Sequence, residues 1–377
     1  MKIYRVRISL ARIRFGATED GECVAESSET VTKTKQFGWG IIGTGRIATD
    51  FASDLRFAGG AKLVAVLSRD QKSAAEFCEN AGSGTAYSDM DQFLADPVID
   101  IVYIASPNSM HLPQALRAIY AGKAVLVEKP LAPSESEAEL IALEAVRNNV
   151  LVMEAMWIRF LPGITAVKNL IDEGAIGEVR SIKGTLSYRN AYDPAGRLFN
   201  KAMGGGASLD LGVYLLSLTM MLMGEPQRIS GSWKAAPSGV DMSANYRLHY
   251  ANSSADLTCG LDETRHNGFD IIGTKGHIRI SDPFIRARRV EIATGNLARK
   301  LMLTVKTGLS AKLLTKLPMP GHKLLRFDDQ GHGLHYQAVA VMDALRGGKS
   351  GTETLPLSDS AAVLRAIGTL LSQASVS

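Results

Sequence analysis

Short unbroken apolar runs alternate with longer amphipathic stretches from Phe37 onward. "FGWGII" runs into glycines and a helical stretch, and "AKLVAVLS" (61 to 68) is a second apolar strand. "QKSAAEFCENAG" reads as a helix stopped by Gly82. The alternation then continues through "DIVYIASP" (100 to 107), the helical "MHLPQALRAIYAG", "AVLVEKP", the helical "SESEAELIALEAVRNNV" and "LVMEAM". Continuous apolar strands separated by helices predict βαβ units and a parallel sheet covered on both faces.

After about residue 155 the pattern changes. A helix near 163 to 173 precedes "VRSIKGTLSY" and the glycine-plus-helix element "GGGASLDLGVYLLSLTMML", and strands separated by turn residues follow at 228 to 234, 244 to 250, 254 to 261, 267 to 273 and 276 to 281. Helices near 335 to 346 and 358 to 371 close the chain. The fold class expected is α/β, with a doubly wound Rossmann domain followed by an α+β domain on a largely antiparallel sheet. The expected organisation is a disordered leader over 1–36, a nucleotide-binding domain over 37–155, and a substrate and dimerisation domain over 156–377. The terminal helices are free to pack back on the first domain.

Composition narrows the class. At 377 residues the chain is too long for one ordinary core. With 46% apolar and 21% charged residues it reads as globular, and a net charge of +4 gives no argument for nucleic acid. Cys23, Cys78 and Cys259 are too few and too far apart for a disulfide framework or a zinc site, which fits a reducing cytoplasm. The longest apolar run, "LLSLTMMLM", is about half the roughly 20 residues of a membrane span and reads as a buried helix end. His332 and His335 lack acidic or cysteine partners at ligand spacing, so no metal site is expected. The first residues, "MKIYRVRISLARIRF", are basic but lack the apolar core of a secretory signal. No acidic residue falls between Glu291 and Asp328, while Arg299, Lys300, Lys306, Lys312, Lys316, Lys323 and Arg326 are basic. A solvated face is the plainer reading, and a site for an anionic sugar or acidic partner the sharper one.

"GTGRIA" places Gly43, Gly45 and Ala48 at dinucleotide-fingerprint spacing between a predicted strand and a predicted helix. Glycines let the backbone approach a pyrophosphate, and the helix presents its positive end, with Arg46 and Ile47 at its start. After the second strand stand Ser68 and Arg69 where an NAD enzyme usually places a carboxylate, with Lys72 one turn on. Such residues attract a 2′-phosphate, so NADP is expected ahead of NAD. Ligands of such sheets bind beyond the carboxyl ends of the strands, which puts Glu128 and Lys129 beside the cofactor. Pro130 holds Lys129 extended.

The stretches "GIIGTGRIA", "SPNSMHLPQALRAIYAGKAVLVEKPLA", "MEAMWIRFLP" and "GGGASLDLGVYLLSL" together resemble the Gfo/Idh/MocA oxidoreductases. The likeness runs from about residue 37 to 372, especially to the branch containing dimeric dihydrodiol dehydrogenase and NADP-dependent D-xylose dehydrogenase. It implies that Lys129 of the EKP motif is the catalytic or substrate-orienting cation. The peptide before Pro130 is often cis in the family. It also implies that Asp210 and Tyr214 are the acidic residue and the group four residues later, where many relatives carry histidine. Ser106, Asn108 and His111 would touch the cofactor, with a capping or packing role equally open for Asn108 and His111, and Trp157, Arg159 and Phe160 would wall the substrate pocket or belong to plain core.

The residues agree with that implication, since positions four apart on a helix share a face and Asp210 and Tyr214 can enter one cleft. Gly204 to Gly206 would let the backbone pass close to substrate or nicotinamide. As a base near neutral pH, Tyr214 must ionise well below the phenol value of about 10, and Lys129 is the cation that would lower it. Asp210 would position substrate or tune the lysine, and Lys129 as direct base stays open. The expected activity is an NADP-dependent hydride transfer on a carbinol of a sugar or vicinal diol, by a homodimer formed through the second sheet. A non-catalytic dinucleotide-binding regulator is the alternative, though it would have no need of Lys129, Asp210 and Tyr214 as a set.

Overall fold

A computed structural model describes residues 35–304, 320–328 and 330–375. The first sheet contains β1 (Phe37–Ile42), β2 (Ala61–Leu67), β3 (Thr85–Tyr87), β4 (Ile101–Ile104), β5 (Ala124–Glu128) and β6 (Val152–Ala155). Its order is β3-β2-β1-β4-β5-β6 and every pairing is parallel. Helices α1 (Arg46–Asp54), α2 (Gln71–Ala81), α3 (Met90–Ala95), α4 (His111–Tyr120) and α5 (Glu135–Arg147) connect the strands. Every residue of β1, β4, β5 and β6 is buried, which is why these strands read as unbroken apolar runs. The strand order reverses between β1 and β4, opening a crevice at the strands' carboxyl ends.

The second sheet contains β7 (Val179–Ser187), β8 (Arg228–Ala235), β9 (Asp241–His249), β10 (Ser254–Gly260), β11 (Phe269–Gly273), β12 (His277–Ile280), β13 (Arg289–Ala293) and β14 (His322–Arg326). The order is β14-β13-β12-β11-β7-β10-β9-β8, antiparallel except where β7 meets β10. Strands β13 and β14 extend it beyond the sequence expectation. In the basic segment, Arg299 and Lys300 lie on the helix Asn296–Thr304 and Lys323 and Arg326 on β14. Lys306, Lys312 and Lys316 fall outside the described residues, as does the expected leader up to residue 34.

Two further helices, α6 (Pro162–Asp172) and α7 (Val213–Met223), belong to the second half. The helical run Lys201–Met223 that ends in α7 is long and apolar enough to cross a membrane by length and composition, yet 72% of its most apolar window is buried inside the protein. It is a core helix.

The chain then returns to the first sheet. Within the helix Leu357–Leu371, Ser360 donates to Glu154 at 2.7 Å, and Asp359 accepts from Arg159 at 2.6 Å. The carboxylate of Asp54, at the end of α1, accepts from the amides of His332 and Leu334, each at 2.9 Å. Burial would raise the pKa of Asp54, but His335 beside it and those amides hold it down to about 2.

Candidate active site

Gly43 turns the chain out of β1 at φ +107°, and a Cβ there would lie 2.8 Å from the Ala105 carbonyl oxygen. A Cβ on Gly45 would meet nothing within 4 Å, so the space over the turn is open to a ligand. Gly45 caps α1 with no side-chain hydrogen bond, leaving the first amides of the helix for an anion. Arg46, exposed, is 3.9 Å from Asp50, and Ile47 is half-buried. These features fit a dinucleotide pyrophosphate.

At the end of β2, Ser68 is half-buried and Arg69 exposed, while Lys72 pairs with Glu76 at 3.8 Å. The nearby carboxylate of Asp70 is turned onto α2. It accepts from the amides of Lys72 and Ser73 and from the Ser73 hydroxyl at 2.7 Å. Capping the helix engages that carboxylate, and Arg69 beside it is exposed.

The charged end of β5 enters the crevice. Glu128 is 6% exposed, accepts from the Tyr103 hydroxyl and from the Lys129 amide, and is pushed up to about 7 by burial. The Lys129–Pro130 peptide is cis. The Lys129 ammonium donates to the Asp210 carbonyl at 2.7 Å and to its carboxylate at 3.3 Å. It also lies 4.8 Å from the centroid of the Tyr214 ring. Asp210 sits in a π-helical turn, Ser208–Gly212, where the Val213 amide reaches back to the Ser208 carbonyl. Asp210, Tyr214 and Lys129 therefore meet, with Arg197 as a fourth member 3.0 Å from the Asp210 carboxylate.

Burial opposes charge on Lys129, but Asp210, Tyr214 and Glu128 outweigh it and push the ammonium up to about 12. Burial likewise opposes charge on Asp210, yet Lys129 and Arg197 hold its carboxyl below the usual range. Tyr214 corrects the sequence expectation. Burial raises its pKa above that of a free phenol, and the downward pull of Lys129, helped by Trp157, does not cancel that rise. The ammonium faces the ring, and the phenolic oxygen instead accepts the Trp157 indole N–H at 3.1 Å.

Asn108 donates to the Gly204 carbonyl at 2.8 Å, joining the loop after β4 to the glycine-rich element. Gly204 has φ +75°, and a Cβ on it would come within 2.8 Å of Asn108 Cβ. The Ser106 hydroxyl donates to Gln114 at 2.6 Å. Burial decides two further expectations. His111 is wholly buried, its ring nitrogens face the carbonyls of Pro130 (2.8 Å) and Ser106 (3.0 Å), and desolvation lowers its pKa to about 4. Both ring nitrogens are thus engaged by the turns after β4 and β5, the packing role the sequence also allowed. Arg159 is 1% exposed and spends its guanidinium on Ser217, Thr354 and Asp359, so it pins helices together and does not wall a pocket. Phe160 packs against the core, whereas Trp157 belongs to the crevice through Tyr214. Among the described residues no group of three or more His, Cys, Asp or Glu could hold a metal ion. Tyr103 and Arg197 escaped sequence reading, the first hidden in an all-apolar strand and the second in an irregular loop.

A phosphate cradle over a parallel sheet, with a fixed ammonium and a phenol at the neighbouring strand end, defines a dinucleotide-dependent oxidoreductase. A profile of the oxidoreductase family with an NAD-binding Rossmann fold matches residues 37–156, and the GFO/IDH/MocA C-terminal domain matches residues 164–279. The chain belongs to the Gfo/Idh/MocA family. It is 28% identical to trans-1,2-dihydrobenzene-1,2-diol dehydrogenase of Homo sapiens over 327 residues, covering 85% of this chain and 92% of that one. The enzyme of the same name from Xenopus tropicalis is 30% identical over 343 residues, covering 90% and 98%. The fold is shared with aldose-aldose oxidoreductase from Caulobacter crescentus complexed with glycerol (TM-score 0.76, 21% identity, 89% and 96% covered).

Proposed function

We propose that the chain transfers hydride between the nicotinamide of NADP and a carbinol carbon of a sugar or vicinal diol. Residues 37–155 serve as the nucleotide-binding domain and 156–377 as the substrate and dimerisation domain. The observation that carries this reading is the convergence of Lys129, Asp210 and Tyr214 beside the cradle. Similarity to enzymes named for a dihydrodiol supports the substrate class.

The bound cofactor supplies or accepts the hydride. Lys129, protonated throughout the neutral range, has no free electron pair with which to take a proton. Tyr214, also protonated there, can give its hydrogen to a substrate carbonyl oxygen in the reductive direction and take it back in the oxidative one, with Lys129 as its fixed cation. An indole N–H can only donate, so the Tyr214 oxygen is the acceptor of that bond and its own hydrogen is directed away from Trp157. There it can serve a substrate oxygen. A bound substrate hydroxyl adds a second polar partner to the one Trp157 supplies, which favours the ionised form at the moment of proton transfer.

The occupied carboxylate of Asp70 and the exposed Arg69 support NADP over NAD. Along β9 the buried residues Ala244, Tyr246 and Leu248 alternate with less buried Ser243, Asn245 and Arg247, and this open sheet face is the surface through which a homodimer would form. Cys78 and Cys259 are free and buried, which suits a reducing cytoplasm.

The test is the absorbance of the reduced cofactor in the presence of a panel of aldoses and diols. Turnover with at least one member is the expected result. Tight cofactor binding with no redox change across the panel would overturn the reading.

A further inference from the structure

Arg197 is the exposed member of the cluster around Asp210. It lies between β7 and the glycine-rich element, in an irregular segment where Tyr192 stacks edge-on to Phe199 at 5.1 Å between centroids. Its guanidinium reaches the same Asp210 oxygen that Lys129 touches, at 3.0 Å against 3.3 Å. The side chain is nevertheless 61% exposed, while those of Lys129 and Asp210 are 12% and 16% exposed. A guanidinium has five N–H donors, and the one hydrogen bond to Asp210 occupies one of them. The rest, on this largely exposed side chain, remain accessible to a ligand.

The charges do not balance. Two cations meet a single carboxylate, and Glu128, behind the lysine and pushed up to about 7, offsets the excess only in part at neutral pH. A neutral polyol brings no charge to offset that excess beside the largely buried Lys129 and Asp210. A substrate carrying a carboxylate cancels it and offers two coplanar oxygens to a planar fork of donors.

We propose that Arg197 is a specificity-determining residue that selects substrates bearing a carboxylate near the reacting carbinol, so that the preferred class is sugar acids and hydroxy acids over neutral sugars and diols. The inference rests on the hydride-transfer reading above and deepens it. Its position beside Asp210 makes Arg197 part of the substrate-binding surface while keeping it off the nucleotide cradle.

The test compares kcat/KM for matched pairs, glucuronate against glucose and glycerate against glycerol, in the wild-type protein, Arg197→Gln and Arg197→Lys. The wild type is expected to favour the acid of each pair by about tenfold or more. In Arg197→Gln the loss should be at least about tenfold greater for the acid than for the neutral partner, with Arg197→Lys between the two. Equal losses for acid and neutral substrates would mean that Arg197 merely steadies Asp210, and would overturn the proposal. So would a wild-type preference for the neutral member. Dialysis of labelled glucuronate and glucose against the NADP-loaded protein separates this proposal from the underlying one. Arg197-dependent preference for glucuronate without turnover would sustain charge selection while hydride transfer fails, and equal binding of the two sugars would sink charge selection whatever the turnover.

Discussion

The indole N–H of Trp157 donates to the phenolic oxygen of Tyr214 across 3.1 Å, and the two rings meet edge-on at 6.4 Å. That donor favours the phenolate, because a hydrogen bond to the charged form stabilises it. In the oxidative direction, where the phenolate is the base, Trp157→Phe should therefore move the ascending limb of the pH profile of kcat/KM upward and lower the rate at neutral pH. Tyr214→Phe should cost about 10²- to 10⁴-fold in kcat. A limb that stays in place in Trp157→Phe would remove Tyr214 from proton transfer.

Lys129 holds its charge by contact with Asp210 and lies over the ring that it assists. In Lys129→Met, turnover should be lost while the dissociation constant of NADP stays within about threefold, because the phosphate cradle is built from other residues. Equilibrium fluorescence titration and an activity assay on one preparation check both halves. Near-normal turnover would defeat the scheme.

The cofactor preference turns on Arg69. Arg69→Ala should weaken NADP by about tenfold and leave NAD within about twofold, and the wild-type affinity for NADP should fall more steeply with salt than that for NAD. Dissociation constants measured for both cofactors at one ionic strength decide it. Tighter binding of NAD by the wild type would refute the assignment.

Glu128 predicts a pH dependence of folding. Its carboxyl is raised from 4.5 to about 7 in the folded protein, so burial favours the neutral form. This stabilisation is fully present below about pH 4.5 and is lost as pH rises through 7. At about 1.4 kcal/mol per pH unit the decline is on the order of 3 kcal/mol. Asp54 and Asp210, whose pKa values are lowered, act in the opposite direction only below about pH 4. His111, lowered to about 4, adds stability as pH rises toward 6.5 and so masks part of the fall. Denaturant unfolding from pH 5 to 8 should therefore show the decline in the difference between wild type and Glu128→Gln, which is neutral at that position at every pH. An unchanged slope in that variant would place the titration elsewhere.

Much of the first sheet was legible in the sequence because burial on both faces makes a strand uniformly apolar, as in β4 and β5. Strand β3 was not, being three half-exposed residues with no period to read. Strand β14 was hidden because Lys323 and Arg326 made its segment look like a solvated face. At the site, the residue types Lys129, Asp210 and Tyr214 were legible, and so was the cradle. Their geometry was not. Lys129 meets Asp210 across 81 positions of sequence and Trp157 meets Tyr214 across 57, distances that only tertiary closure sets. The same closure buries His111 and Arg159, whose polar heads gave no sign in the sequence of which carbonyls and helix ends would absorb them.

The clasp on Asp54 bears on how the molecule could be dissected. The carboxylate ends the very helix that begins at the phosphate cradle, and its amide donors come from residues some 280 positions later. Glu154 and Arg159 depend in the same way on Ser360 and Asp359. A recombinant fragment stopping after β6 would strip buried anions of their donors and lay bare the apolar flank beneath the last helix. The nucleotide-binding half is thus no self-sufficient module, and the protein should melt in one cooperative step instead of shedding its halves in turn.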